Sequence, residues 1–263
     1  MASHPRIGQD LSMKKTVIPA SLFAFSILLT SSYAVTAEQS HSKWGYDGAG
    51  APSHWSTLDP ANQICGTGKN QSPINLTNRI EADLSPIEFH YDVTAKDIVN
   101  NGHTVQINLN SGAYINLDNH RFDLIQMHFH APSENHIDGK SFALEAHLVH
   151  ADKDKNLAVV AIMYDIGTEN TALASFWTNM PHMAGDSKAT PNNTNIASVL
   201  SEDRDYYRFN GSLTTPPCSE GVTWLVQKQP QTISDAQLKA FTGTQHGPNN
   251  RPVQSVFARP ILQ

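Results

Sequence analysis

Two short segments carry side chains with metal-binding chemistry. In Leu124-Ile125-Gln126-Met127-His128-Phe129-His130, an extended chain puts Gln126, His128 and His130 on one face and Ile125, Met127 and Phe129 on the other. The next such segment repeats the pattern, with Glu145, His147 and Val149 on one face and Leu144, Ala146 and Leu148 on the other. If the two are neighbouring strands, three imidazoles converge. Three neutral imidazoles with no fourth protein ligand match a catalytic zinc site, whose fourth tetrahedral position stays open for water. Gln126 and Glu145 each lie two residues before a histidine on the same face, where they can accept the ring N–H turned away from the metal and fix the tautomer. A His-x-His pair alone also occurs in cupins, in metallohydrolases and on ordinary protein surfaces. The Glu-x-His of the following segment is what favours metal.

Such a site needs a sheet beneath it, and the chain supplies one. Val, Ile, Phe and Tyr recur with period two in Thr104–Leu109, Ala113–Leu117, Phe122–His130, Phe142–His150, Leu157–Tyr164 and Val222–Gln227, which predicts strands. Between them lie Asn110-Ser111-Gly112, Asp118-Asn119 and Asp138-Gly139, which favour tight turns. Helical periodicity is short, best in Thr171–Met180 and Ser234–Thr242, where Ser234 and Asp235 can cap the start and Gly243 the end. The fold class is mainly β (α+β), with short peripheral helices. From about Ser40 to Gln263 there is no linker, repeat or compositional break, so one domain is expected.

The chain has 263 residues, 39% hydrophobic and 16% charged, with a net charge of −6, thirteen histidines and two cysteines. This composition suits an ordinary globular protein and excludes collagen, coiled coil and disulfide-dense mini-proteins. An acidic balance without a Lys/Arg block argues against nucleic acid as a partner. Lys14-Lys15 precede an apolar stretch of about 13 residues followed by small residues, the layout of a signal peptide and too short to span a bilayer. Residues 1–37 are therefore expected to be a leader, cleaved after Ala34 or Ala37, with Met13 as the natural start. Its removal brings the net charge to about −8. An uncleaved membrane anchor is the alternative; stable membrane insertion is not expected. In an oxidising compartment, Cys65 and Cys218 can bridge a loop of about 150 residues or remain two buried thiols.

Several segments together resemble one family. Gln126–Asn135 (QMHFHAPSEN), Glu145–His150 (EAHLVH), Asn101–His103 (NGH), Gly211–Val226 (GSLTTPPCSEGVTWLV) and Asn70–Asn75 (NQSPIN) are similar to the α-class carbonic anhydrases, in the form of bacterial exported enzymes. The resemblance runs in one register from Trp44-Gly45-Tyr46 to Asn249-Asn250-Arg251-Pro252. It implies one catalytic domain over 38–263, a central, mostly antiparallel twisted sheet of about ten strands and zinc at the bottom of a conical cavity. It also implies a Cys65–Cys218 disulfide, a homodimer and a periplasmic location in a Gram-negative bacterium.

The resemblance implies roles residue by residue. One Zn2+ per chain is bound by His128, His130 and His147, with Gln126, Glu145 and Asn249 holding these ligands. Zinc-bound hydroxide attacks carbon dioxide to give bicarbonate and a proton; a zinc water of pKa about 7 is a known property of carbonic anhydrases, and it comes with the resemblance alone. Thr214 accepts the hydroxide's hydrogen bond and donates its own to Glu134. Val149, Val159, Leu213, Thr215, Val222 and Trp224 form the substrate pocket, although the apolar members alone read as plain core. His103 is the proton shuttle, with Tyr46, Asn101 and Gln106 along the proton path. Gln106 stands where vertebrate enzymes have asparagine; Ala131 stands where they have tryptophan and several loops are shorter, which implies a more open cavity. Sulfonamide and anion inhibition and a side esterase activity are also implied. Two other classes compete: a catalytically inactive carbonic-anhydrase-like binding module, which typically lacks one or more of the zinc histidines present here, and a cupin-type or hydrolytic metalloenzyme.

Overall fold

The computed structural model describes residues 44–190 and 194–263. The expected leader over 1–37, its start at Met13 and its cleavage positions lie outside the described residues. The strands in chain order are β1 (Asn75–Leu76), β2 (Glu88–His90), β3 (Ala95–Asn100), β4 (Val105–Leu109), β5 (Tyr114–Leu117), β6 (His120–His130), β7 (His136–Ile137), β8 (Leu144–Ala151), β9 (Leu157–Ile166), β10 (Ser187–Ala189), β11 (Tyr206–Ser212), β12 (Glu220–Gln227) and β13 (Gln231–Ile233). The α-helices are α1 (Trp55–Leu58), α2 (Ile64–Thr67), α3 (Thr171–Trp177) and α4 (Asp235–Thr242). No helix among the described residues is long and apolar enough to cross a membrane.

Eleven of these strands form one sheet, whose main path runs β10-β3-β4-β6-β8-β9-β12-β11. β9 pairs parallel with both β12 and β13; the other pairings in this sheet are antiparallel. The long β6 pairs with β5 through its first half and β4 through its second, with β8 along its other edge. Asp118 and Asn119 join β5 to β6 with φ of 51° and 61°, the left-handed pair a two-residue hairpin needs.

β8 and β9 run through the middle of the sheet and bury both faces, so their sequences read as nearly continuous apolar runs. One face packs Met127, Phe129, Ala146, Leu148, Val160 and Ile162 into the larger core. The other face, where it is apolar, joins Val159, Ala161, Met163, Phe209, Val222 and Trp224 into a second cluster. His128, His130 and His147 occupy the remainder of that second face.

Several expected bounds shift for local reasons. Phe142 lies outside β8 because its N–H donates to Ser133 Oγ and its carbonyl accepts from the Ser133 N–H. Thr104 precedes β4, its hydroxyl donating to the Phe129 carbonyl. α3 stops at Trp177 rather than Met180, where the chain passes into turns. α4 is capped as expected by Ser234, in a reciprocal box with Gln237, and ends at Gly243. Ile125 does not share the buried face of Met127 and Phe129: a bulge between Leu124 and Gln126 turns it outward, 51% exposed. β3, β11 and the short edge strands carry no clean alternation and lie outside the expected set.

Candidate metal centre

β6 and β8 are direct neighbours, and their register sets His128 opposite His147 and His130 opposite Glu145. One ligand nitrogen from each of His128, His130 and His147 lies within 4.8 Å of the others. Parity puts all three on one face; pairing brings them together.

The other nitrogen of each ring is already engaged. His128 Nδ1 donates to Gln126 Oε1 at 2.8 Å, and His130 Nδ1 to the Asn249 carbonyl at 2.7 Å. His147 Nε2 donates to Glu145 Oε1 at 2.9 Å. These acceptors fix the tautomers, leaving His128 Nε2, His130 Nε2 and His147 Nδ1 as the nitrogens with free lone pairs. His130 Nε2 is a buried polar atom with no hydrogen-bond partner in the protein, an arrangement that costs free energy unless something binds there. Burial, reinforced by the neighbouring imidazoles, pushes His128 and His147 well below the usual histidine range, and burial also lowers His130. All three are therefore neutral at neutral pH, the state a metal requires. Three imidazoles with nitrogen donors suit zinc.

Asn249 holds the His130 ring with main-chain oxygen, while its side chain aligns the loop: Oδ1 accepts from Ala131 N–H, and Nδ2 donates to the Phe129 and His103 carbonyls. Glu145 is buried and meets four donors. His147 Nε2 and Asn135 Nδ2 reach Oε1, and the backbone N–H groups of Glu134 and Asn135 reach Oε2.

Glu134 stands beside the imidazoles, its Oε2 at 3.5 Å from His130 Nε2 and 4.0 Å from His147 Nδ1. A carboxylate is thus nearer than the sequence suggests, but Oε1 is pinned by the Arg251 N–H at 2.8 Å. Burial pushes the Glu134 carboxyl well up, opposed by that N–H and by the Thr214 hydroxyl acting on the same group. Tyr46 is raised by burial and then by the Glu134 charge.

Val149, Val159, Leu213, Val222 and Trp224 belong to one apolar cluster. Val149 faces Val159, which faces Trp224 across the parallel pair, and the Trp224 ring sits 4.9 Å from the His147 ring. An apolar wall therefore adjoins the imidazoles. Thr215 lies outside that cluster, its carbonyl accepting from Cys218 N–H at 2.9 Å.

His103 is stacked flat on Trp44, ring centroids 3.8 Å apart, and partial burial lowers its pKa. Asn101 is turned inward on its own loop, Oδ1 accepting from the His103 and Thr104 N–H groups. Gln106 pairs with His128 across strands, and its amide donates to Asn108 at 2.8 Å.

Cys65 and Cys218 are bonded, with Cα atoms 5.1 Å apart. The buried Arg251 guanidinium ties this bridge to the centre: it donates to the Cys65 carbonyl, to Gln71 Oε1 and to the Ser72 carbonyl, while Gln71 donates to the Cys218 carbonyl. Arg251, Asn135 and Trp44 have no role legible in the sequence. Each acts through contacts distant in the chain, and only their place inside the matching segments signals them.

The family described as eukaryotic-type carbonic anhydrase matches residues 50–263. A carbonic anhydrase of Pectobacterium atrosepticum is 43% identical over 240 residues, covering 91% of this chain and 98% of the relative. One from Neisseria gonorrhoeae is 42% identical over 244 residues, covering 92% and 96%. The α-carbonic anhydrase of Thermovibrio ammonificans, solved with the inhibitor sulfanilamide, superposes with a TM-score of 0.82 at 43% identity, covering 84% of this chain and 98% of that one.

Proposed function

The chain belongs to the eukaryotic-type carbonic anhydrase family, and from that premise we propose that it catalyses the zinc-dependent, reversible hydration of carbon dioxide to bicarbonate and a proton. The observation that carries this reading is the convergence of three imidazole nitrogens whose partner nitrogens are all engaged.

His128 and His130 would hold one Zn2+ through Nε2, and His147 through Nδ1. The ion, when bound, supplies a Lewis-acid centre that makes water a nucleophile at neutral pH. The residues around it do the rest. The Arg251 N–H and the Thr214 hydroxyl favour the ionised form of Glu134 against the penalty of burial. The carboxylate then takes the Thr214 proton in a hydrogen bond, so that Thr214 presents its oxygen to the centre only as an acceptor. That selects ligands carrying a proton and orients them.

Carbon dioxide has no net charge and needs an apolar berth, which Val149, Val159, Leu213, Val222 and Trp224 supply, with Thr215 at its edge. His103 takes the released proton, since imidazole makes that transfer nearly level at neutral pH. Tyr46, Asn101 and Gln106 line the path. Sulfonamides and small anions compete at the same centre, and activated esters are side substrates.

The leader over 1–37 exports the catalytic domain over 38–263 to the periplasm, where two copies associate. The composition of the centre and its reaction are tested together by zinc analysis and stopped-flow hydration of carbon dioxide, with and without a chelator. One zinc per chain and fast hydration abolished by chelation are expected; hydration that survives metal removal would overturn the reading.

A further inference from the structure

A cavity of about 480 Å³ has walls that include Trp44, Tyr46, Asp47, His103, His246 and Asn249. One of its walls is tied to the histidine cluster. The Asn249 carbonyl holds His130, and Tyr46 feels the charge of Glu134. Its outer wall is solvent-exposed and carries a second imidazole, His246, on the loop that follows α4.

The loops bearing the two imidazoles are fixed to one another. Asn249 Nδ2 donates to the His103 carbonyl at 3.1 Å, and the Asn249 N–H donates to the Ala131 carbonyl at 3.3 Å. The start of the second loop is closed onto α4 by Gln245 N–H to the Thr242 carbonyl at 3.1 Å. Both rings therefore belong to one wall system. His103 has one ring face covered by Trp44 at 3.8 Å, and both residues line the cavity.

We propose that His246 is the outer proton-relay residue of this enzyme, taking through cavity water the proton that His103 receives and passing it to solvent or buffer. The inference rests on the reading of His103 as first acceptor. In each cycle the His103 imidazolium loses one N–H proton, a cavity water accepts it while releasing another, and the His246 imidazole gains one. A buffer base then removes that proton and no other group changes charge. Burial weakens the hold of His103 on its proton, which favours outward transfer. The Asp47 carboxylate on the same walls stabilises positive charge in transit. Tyr46 and His103 are the other titratable groups facing the cavity.

The test is stopped-flow hydration by the zinc-loaded enzyme in dilute, non-imidazole buffer, comparing His246→Gln, His103→Ala and the double variant. In His246→Gln, kcat falls about tenfold, less than the roughly 10²-fold of a fully placed acid–base group because His103 can still release its proton directly. kcat/KM stays constant, added imidazole restores kcat, and the double variant is no slower than His103→Ala. An unchanged kcat in His246→Gln, while His103→Ala is slow, overturns the relay alone. A parallel fall in kcat/KM, or failure of imidazole to restore kcat, also overturns it by marking a structural effect. Full kcat in His103→Ala overturns the reading of His103 and the relay with it.

Discussion

Replacing Glu145 with glutamine changes one atom and sets four hydrogen bonds in conflict. The native carboxylate faces donors on both oxygens: His147 Nε2 and Asn135 Nδ2 on one, the N–H groups of Glu134 and Asn135 on the other. A glutamine amide has one accepting oxygen, so in either orientation its NH2 meets two donors. Each buried donor left unsatisfied costs roughly 1–3 kcal/mol, so the pair costs about 2–6 kcal/mol. For a chain of this size about 4 kcal/mol lowers the melting temperature by on the order of 10 °C.

One escape exists. If the amide faces His147, that ring can move its proton to Nδ1 and accept from the amide through Nε2. The stability loss then shrinks, but Nδ1 no longer offers a lone pair to the metal, and zinc affinity falls by about 10- to 100-fold or more. Stability and metal affinity cannot both survive Glu145→Gln. The assay is thermal melting of the metal-free chain together with zinc competition against a chelator of known affinity. A variant melting within about 1 °C of the parent and holding zinc equally well would refute the reasoning.

His147→Ala removes a ligand outright and is expected to abolish zinc retention and hydration together, read by metal analysis and stopped flow; a zinc-loaded, active variant would contradict the assignment. His150, buried, accepts from the Tyr91 hydroxyl at 2.7 Å, and burial lowers its pKa to about 4. Because the unfolded chain binds this proton near pH 6.5, stability is full above that pH and falls by up to about 3 kcal/mol as pH drops toward 4. Denaturant titrations at both ends should show this slope in the parent and a shallower one in His150→Phe, and equal slopes would count against it. Replacing both Cys65 and Cys218 with serine releases a loop spanning a sequence separation of 153. The loss should approach about 5 kcal/mol in the chain-entropy limit, measured as a lower denaturation midpoint; an unchanged midpoint would assign the bridge no stabilising part.

The metal face is legible in the sequence because strand parity is local: Gln126, His128 and His130 share a face whatever surrounds them. Neighbourhood of the two strands is not local, yet only one more element, β7, intervenes between β6 and β8, and the family resemblance supplies the rest. The Asn249 carbonyl cannot be read this way, since a main-chain acceptor leaves no mark on residue type. Arg251 is silent for a similar reason: it serves Glu134 with its N–H and the disulfide segment with its side chain. The bulge at Ile125 also escapes, because an isoleucine beside a methionine and a phenylalanine looks like core. β3 and β11 are hidden because polar residues interrupt their alternation, and their places are set by pairing with stronger strands.

The cross-strand register carries a consequence for how such a protein can change over generations. Gln106, His128, His147, Ala161 and Val226 form one row across the sheet, and Asn108, Gln126, Val149, Val159, Trp224 and Phe209 form the next. The rows stand two residues apart along each strand, about 6.6 Å by the repeat of extended backbone. The proposed zinc ligands His128 and His147 lie on the first row, and the apolar wall draws Val149, Val159 and Trp224 from the second. The backbone itself acts as the ruler between them. A lineage can therefore resize or repolarise the second row, sparing Gln126, without redrawing the first. Chemistry and selectivity are inherited on separate lines of the same lattice.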